Sequence, residues 1–108
     1  MKPSKKKLYY KLVRDRIPEI IDGHGCRYAI RQIRGKDLRG YAFKKLREEV
    51  QEFVENPCAE EAADILEILD FICTKEKITP ESIASEKISK RITKGGFDMG
   101  FFLEWTEE

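Results

Sequence analysis

Apolar residues between positions 43 and 54 come back at intervals of three and four: Phe43, Leu46, Val50, Phe53 and Val54. That spacing lines one face of an α-helix. Asp37 has the side chain of an N-cap, so the pattern predicts a helix over 37 to 55 in which Gly40 weakens only the first turn. Asn56-Pro57 ends it, because the residue before a proline is pushed out of the α region. From Cys58 to about Lys77 the chain carries Ala62, Ile65, Leu66, Ile68, Leu69, Phe71 and Ile72, apolar around much of the circumference. A helix of that kind suits the centre of a bundle or a dimer interface. Thr79-Pro80-Glu81 then offers a cap, a proline at the first helical position and an acid for the helix dipole. Ile83, Ile88 and Ile92 continue the inward face until Gly95-Gly96 stops a helix over 80 to 94.

The ends of the chain are less regular. Ile17-Pro18-Glu19-Ile20-Ile21-Asp22 predicts a short helix over 17 to 23, with Pro18 in its first turn and Gly23 as its stop. Residues 26 to 34, CRYAIRQIR, alternate weakly with no convincing partner strand and predict an extended connector. Residues 1 to 7, MKPSKKK, are too polar to pack and predict a disordered basic tail. Residues 97 to 108, FDMGFFLEWTEE, are too apolar to be left in water and are expected on the body of the protein or on a partner subunit. Together these elements predict one all-α domain over 8 to 108, a helical bundle completed by dimerisation.

Composition limits what that bundle can be. A chain of 108 residues lies near the lower end of sizes that fold without covalent staples, and 41% hydrophobic residues against 38% charged allow a core but not a large one. Charge interrupts every apolar stretch, so no segment approaches the roughly 20 residues that span a bilayer. The lysines at the start are not followed by the apolar run of a secretory signal. A cytoplasmic protein with no membrane partner is the expectation. Cys26, Cys58 and Cys73 match neither a disulfide framework nor a paired metal motif, and His24 is the single histidine, so the thiols are expected reduced and partly buried. The net charge of +1 conceals a polarity: residues 1 to 45 hold 14 Lys/Arg against 4 Asp/Glu, and residues 46 to 86 hold 3 against 12. A basic half and an acidic half can fold on each other, or one can meet phosphate while the other holds a cation.

The acids are not scattered. Glu49 with Glu52, and Glu61 with Asp64, are three apart on two successive helices, so each pair projects from one side as a fork of oxygen ligands. Two such forks on facing antiparallel helices make a pocket of four carboxylates, which suits Mg²⁺, a hard cation that keeps some waters and takes its remaining ligands from phosphate. Without a cation the cluster costs stability unless it is solvated or ion-paired. A solvated or paired face, with Lys44, Lys45 and Arg47 as partners, is the competing account of the same spacing. Glu61 and Asp64 argue against it, since they interrupt a helix of Ala, Ile and Leu where inward acids are expensive.

Tyr10 to Ile21, YKLVRDRIPEII, followed by Lys45-Leu46-Arg47-Glu48-Glu49-Val50-Gln51-Glu52-Phe53, then Glu61-Ala62-Ala63-Asp64, and finally Gly95-Gly96-Phe97, resembles the phosphoribosyl-ATP pyrophosphohydrolase-like branch of the MazG-type all-α nucleotide pyrophosphohydrolases. The likeness runs in order over nearly the whole chain. It departs in the short turn between Glu52 and Glu61 and in KRITKGGF where a more compact KRGGF is typical. The resemblance implies Mg²⁺ held by Glu49, Glu52, Glu61 and Asp64, with Glu48 as a helper or alternative ligand. It also implies attack of an activated water on the α-phosphorus of a nucleotide, giving a nucleoside monophosphate and pyrophosphate, with Glu48 or Glu49 taking the proton. House-cleaning of damaged nucleotides is one such activity, and the substrate class stays open between an NTP, a standard or damaged dNTP, and a phosphoribosyl nucleotide.

Arg14, Lys45, Lys87, Arg91 and Lys94, in that order, are the candidates to meet the phosphates, and an ion pair with Asp15 or a helix carboxylate is the plain alternative for Arg14. Tyr9, Tyr10, Tyr41, Phe97 and Trp105 have rings that stack on a base, although core or interface suits them better. Two rivals remain. Lys5-Lys6-Lys7 and the basic first half favour a nucleic-acid-binding module, against which stand the acidic middle and the lack of a reading helix. A catalytically inactive regulatory dimer of the same fold is the other.

Overall fold

A computed structural model describes residues 5 to 108; of the basic tail expected over 1 to 7, residues 1 to 4 lie outside the described part, and Lys5, Lys6 and Lys7 are exposed without regular secondary structure. Four helices occur among the described residues and no strand: α1 (Ile17–Gly23), α2 (Gly35–Glu55), α3 (Ala59–Lys75) and α4 (Pro80–Lys94). The fold is all-α. Residues 26 to 34 form the extended connector that their weak alternation predicts. The chain divides into two compact units, one reaching to Ile72 and one from Cys73 to Glu108.

In the first unit, the three-residue break at 56 to 58 turns the chain so that α3 runs back along α2. Ala42, Ile68 and Ile72 are the buried apolar residues, with Leu12, Phe43, Leu46 and Phe71 packed around them. The inward stripe of α2 is therefore Ala42, Leu46, Glu49 and Phe53. It is rotated from the one the apolar spacing predicts: Val50 and Val54 are exposed and a carboxylate, Glu49, is buried in their place. α2 also starts two residues earlier than its predicted cap. Arg34 is the extended N-cap residue, Gly35 enters the helix with φ of 57°, and Asp37 lies inside the first turn, where its charge still suits the dipole.

The second unit explains where α3 stops. Lys77 has φ of 59°, and its N–H donates to Thr74 O at 3.2 Å while Ile78 N–H donates to Cys73 O at 2.8 Å. This pair of bonds is a Schellman closure, so α3 ends at Lys75 and not at Lys77. α4 begins as expected: Thr79 Oγ1 accepts from Ser82 N at 3.1 Å, and Pro80 opens the helix. No residue of α4 is buried, however, and Ile83, Ile88 and Ile92 are exposed, so they form no inward face in the single chain. Phe97 at 97%, Phe101, Phe102 and Trp105 are also exposed in the single chain. Among the thiols, Cys73 is half-buried as expected, while Cys26 and Cys58 are exposed; all three are free.

With so few buried side chains, each one matters. Ile72→Ala should lower the unfolding free energy by about 2–4 kcal/mol, read from urea melts. Lys77→Gly should raise it by about 0.5–1 kcal/mol, because glycine takes the left-handed conformation without the penalty of a side chain. A destabilised glycine variant would contradict this closure.

Candidate metal centre

The seam between α2 and α3 is apolar at one end and acidic at the other. Seven residues make nearly two helical turns, so a helix that faces Ala42 inward also faces Glu49 inward. On α3, Ile68 inward brings Asp64 and Glu61 to the same side. The turn at 56 to 58 sets these acidic ends against each other, and one carboxylate oxygen from each of Glu49, Glu52, Glu61 and Asp64 lies within 4.8 Å of the others. Donors on opposite sides of one Mg²⁺ are about 4.2 Å apart, twice a bond of about 2.1 Å. The cluster is close to the span that such an ion closes.

Two atoms strengthen the fit. Glu49 is 5% exposed, and its Oε2 is buried without a hydrogen-bond partner. Glu61 Oε2 is buried and unpartnered as well. Buried polar atoms are almost always satisfied, and an orphaned carboxylate oxygen is costly. Two of them in one all-oxygen pocket make a donor set that suits a hard divalent cation.

Cations of the chain surround this group. Lys45 Nζ is 3.1 Å from Glu49 Oε1 and 3.5 Å from Glu48 Oε1. Arg14 donates to Asp64 Oδ1 at 2.7 Å, so the helix carboxylate and not Asp15 is its partner. Lys11 donates to Glu48 Oε1 at 3.0 Å. Lys11 lies inside the block that carries the family resemblance, yet the sequence gives no reason to single it out: its partner is 37 residues away.

Adjacent acids are pushed in opposite directions. Burial raises the Glu49 carboxyl above its ordinary value and the neighbouring Glu52 adds to this, more than Lys45 can offset. Burial also acts on Glu48, but the hydrogen bond from Lys11 and the charges of Lys45 and Lys11 outweigh it and hold that carboxyl below its ordinary value. Lys11 is raised in turn, chiefly by its hydrogen bond to Glu48.

Three further expected site residues belong to the second unit. Lys87, Arg91 and Lys94 are exposed on α4, in the second unit. Gly96 leaves room for the Arg91 side chain: a Cβ there would sit 2.9 Å from Arg91 Nη1. Lys44 lies over the Tyr41 ring at 4.9 Å, and Lys7 and Lys11 flank the exposed Tyr9 ring at 5.2 and 5.5 Å. Tyr9, Tyr10, Phe97 and Trp105 are exposed in the single chain and do not supply core.

No protein-family model, curated protein or solved structure matches this chain. None of the described helices is long and apolar enough to cross a membrane.

A raised carboxyl opposes folding wherever it is ionised. The unfolded chain releases that proton at its ordinary value, so the penalty appears as pH rises through and above about 4.5 and is relieved below it. Glu49→Gln should therefore raise the metal-free stability near neutral pH by about 1 kcal/mol, seen as a higher thermal midpoint in EDTA. Glu48 has the opposite sign: its stabilisation is present above about pH 4.5 and is lost as pH falls through its lowered folded value. Glu48→Gln should be less stable than the wild type near pH 7 by about 0.5 kcal/mol, a small figure because both partners are partly exposed. The difference should close in acid.

Proposed function

We propose that this protein is a Mg²⁺-dependent nucleotide pyrophosphohydrolase that cleaves between the α- and β-phosphates. The observation that carries the reading is the convergence of Glu49, Glu52, Glu61 and Asp64, of which Glu49 is buried, on one point beside Arg14 and Lys45. The pattern that resembles the MazG-type enzymes supplies those same residues, and their placement supports the chemistry that the resemblance implies.

Glu49, Glu52, Glu61 and Asp64 hold the ion, which when bound supplies Lewis-acid activation of water and neutralises charge on the leaving diphosphate. Arg14 and Lys45 flank the pocket and bind phosphate oxygens, fixing the α-phosphorus in line with the attacking water. Water forms the new O–P bond, the bridging oxygen leaves with the β-phosphate, and the proton passes to a carboxylate. Glu48, which stands outside the four-carboxylate group, or Glu49 takes that proton. Lys87, Arg91 and Lys94, on α4, are the further candidates for phosphate contacts. The working form is a homodimer or higher homo-oligomer in the cytoplasm. Its support is the exposed apolar surface of α4 and the tail: Ile88, Ile92, Phe97, Phe101, Phe102 and Trp105 are more apolar side chains than a monomer leaves in water.

Release of pyrophosphate from NTPs, dNTPs and modified nucleotides with Mg²⁺ tests the reaction. Glu49→Gln and Asp64→Asn should each lower turnover by about 10²-fold or more while remaining folded. No turnover across the panel, or turnover unchanged in both variants, would end this reading. Sedimentation should show an assembly that Phe102→Ser with Trp105→Ser dissociates; a monomeric wild type with full activity would remove the oligomer from the proposal.

One observation favours a different reading. Arg39, Phe43, Lys44 and Arg47 line a shallow groove on α2, with the Arg39 guanidinium 5.0 Å from the Phe43 ring centre. Cations around a ring suit a single-stranded nucleic acid. Binding of that kind would weaken steeply with added salt and would be indifferent to Asp64→Asn.

A further inference from the structure

The carboxylates of the site are not waiting open. Lys11 and Arg14 belong to the segment ahead of α1, and they grip different helices: Lys11 takes Glu48 on α2 and Arg14 takes Asp64 on α3. The segment thus straps the acidic end of the seam, with Leu12 between them packed against the core. Lys45 closes the arrangement from within α2 by pairing with Glu49. Oxygens of two of the four clustered carboxylates are already engaged by ammonium or guanidinium groups, while Glu49 Oε2, buried and unpartnered, is free to accept an ion.

A divalent cation that binds Glu49 and Asp64 competes with Lys45 and Arg14 for the same carboxylates. A phosphate that binds Arg14 and Lys45 competes in the opposite direction. We infer that Lys11, Arg14 and Lys45 are resident counter-ions of the cluster, which hold down its affinity for a lone divalent cation and are handed to the anion once the cation has arrived. This inference rests on the metal-site reading. Its consequence is a coupling between cation and polyanion: each ligand releases the partners that the other needs, and linkage makes the effect reciprocal. The anion's class follows from the donors, a planar guanidinium and a flexible ammonium beside a hard cation, which suit a phosphate chain. Arg47 and Lys44 belong to the groove on another face of α2 and take no part.

The decisive experiment uses Mn²⁺ alone, titrated into the full chain and followed by the EPR signal of the free ion. Arg14→Gln should bind it about two- to five-fold tighter than the wild type, as expected for loss of a competing exposed ion pair, and Lys11→Met, whose partner Glu48 stands outside the four, should tighten it by a smaller factor through the lost nearby charge alone. Lys45→Met, which removes the partner of the buried carboxylate, should bind it about tenfold tighter or more. Lys44→Met should bind as the wild type does. In the arginine side-chain NMR spectrum, Mg²⁺ should shift the Arg14 Nε–H signal toward its position in Asp64→Asn. Unchanged or weaker Mn²⁺ binding in Arg14→Gln and Lys11→Met, with wild-type binding intact, would overturn the counter-ion role and leave the metal site standing. Binding by the cation variants and not by the wild type would support it in its strongest form. Absence of binding in all of them would remove both. The two exposed positions keep the test decisive should Lys45→Met fail to fold.

Discussion

The packing of α2 on α3 along a single seam governs the rest of the first unit. A connection of only 56 to 58 leaves α3 no path except back along α2, and a helix offers a neighbour one face. Once Ala42 meets Ile68 and Ile72, the rotation of both helices is fixed. The acidic end follows from that rotation, because Glu49 lies seven residues beyond Ala42, and Asp64 and Glu61 lie four and seven before Ile68. The small core and the carboxylate cluster are two ends of one contact surface, and a change that turns either helix moves both.

Such a seam stores repulsion. Four acids gathered within 4.8 Å are tolerable only where opposing charge is close, and the chain brings that charge from three places. Lys45 comes from one turn earlier on α2, while Lys11 and Arg14 come from 37 and 50 residues away from their partners. The opposite shifts of Glu48 and Glu49 measure how uneven the compensation is. Glu48 has two ammonium groups and stays ionised; Glu49 has one, is nearly sealed from water, and carries an oxygen with no partner. Glutamine at that position would remove the charge at little cost in volume, so the buried carboxylate is the energetically expensive choice there.

Much of this was legible in the residues themselves. Thr79-Pro80 and Asn56-Pro57 punctuate the chain through backbone chemistry that needs no tertiary context, and the helix over 80 to 94 begins and ends where those signals put it. The forks Glu49/Glu52 and Glu61/Asp64 could be read because spacing of three fixes a common side on any helix. The rotation of α2 was not legible. Val50 and Val54 outrank Glu49 in hydrophobicity, so the apolar pattern turns the helix the wrong way, and only the partner surface on α3 corrects it. The end of α3 was missed because lysine at Lys77 carries no left-handed signal of the kind glycine does. Arg14 is a candidate because it lies in the block that carries the resemblance; Lys11 lies in the same block and is not one, although each reaches a carboxylate of α2 or α3, and contacts over such separations leave no local pattern.

The exposed isoleucines of α4 mark a limit of another kind. Ile88 and Ile92 repeat at helical spacing, and the sequence assigns them correctly to one face, but periodicity says only that a face is apolar and nothing about what covers it. The same holds for the aromatic tail. In the first unit the inward stripes of α2 and α3 cover each other while Val50, Val54 and Leu66 stay exposed, and the basic-to-acidic polarity of the sequence becomes ion pairs across one seam. The second unit has helical order, a closed α3 terminus and a capped α4, all of it local, with no buried residue on α4. Local backbone chemistry is enough to shape a helix; keeping one in water with its isoleucines uncovered is what calls for another surface.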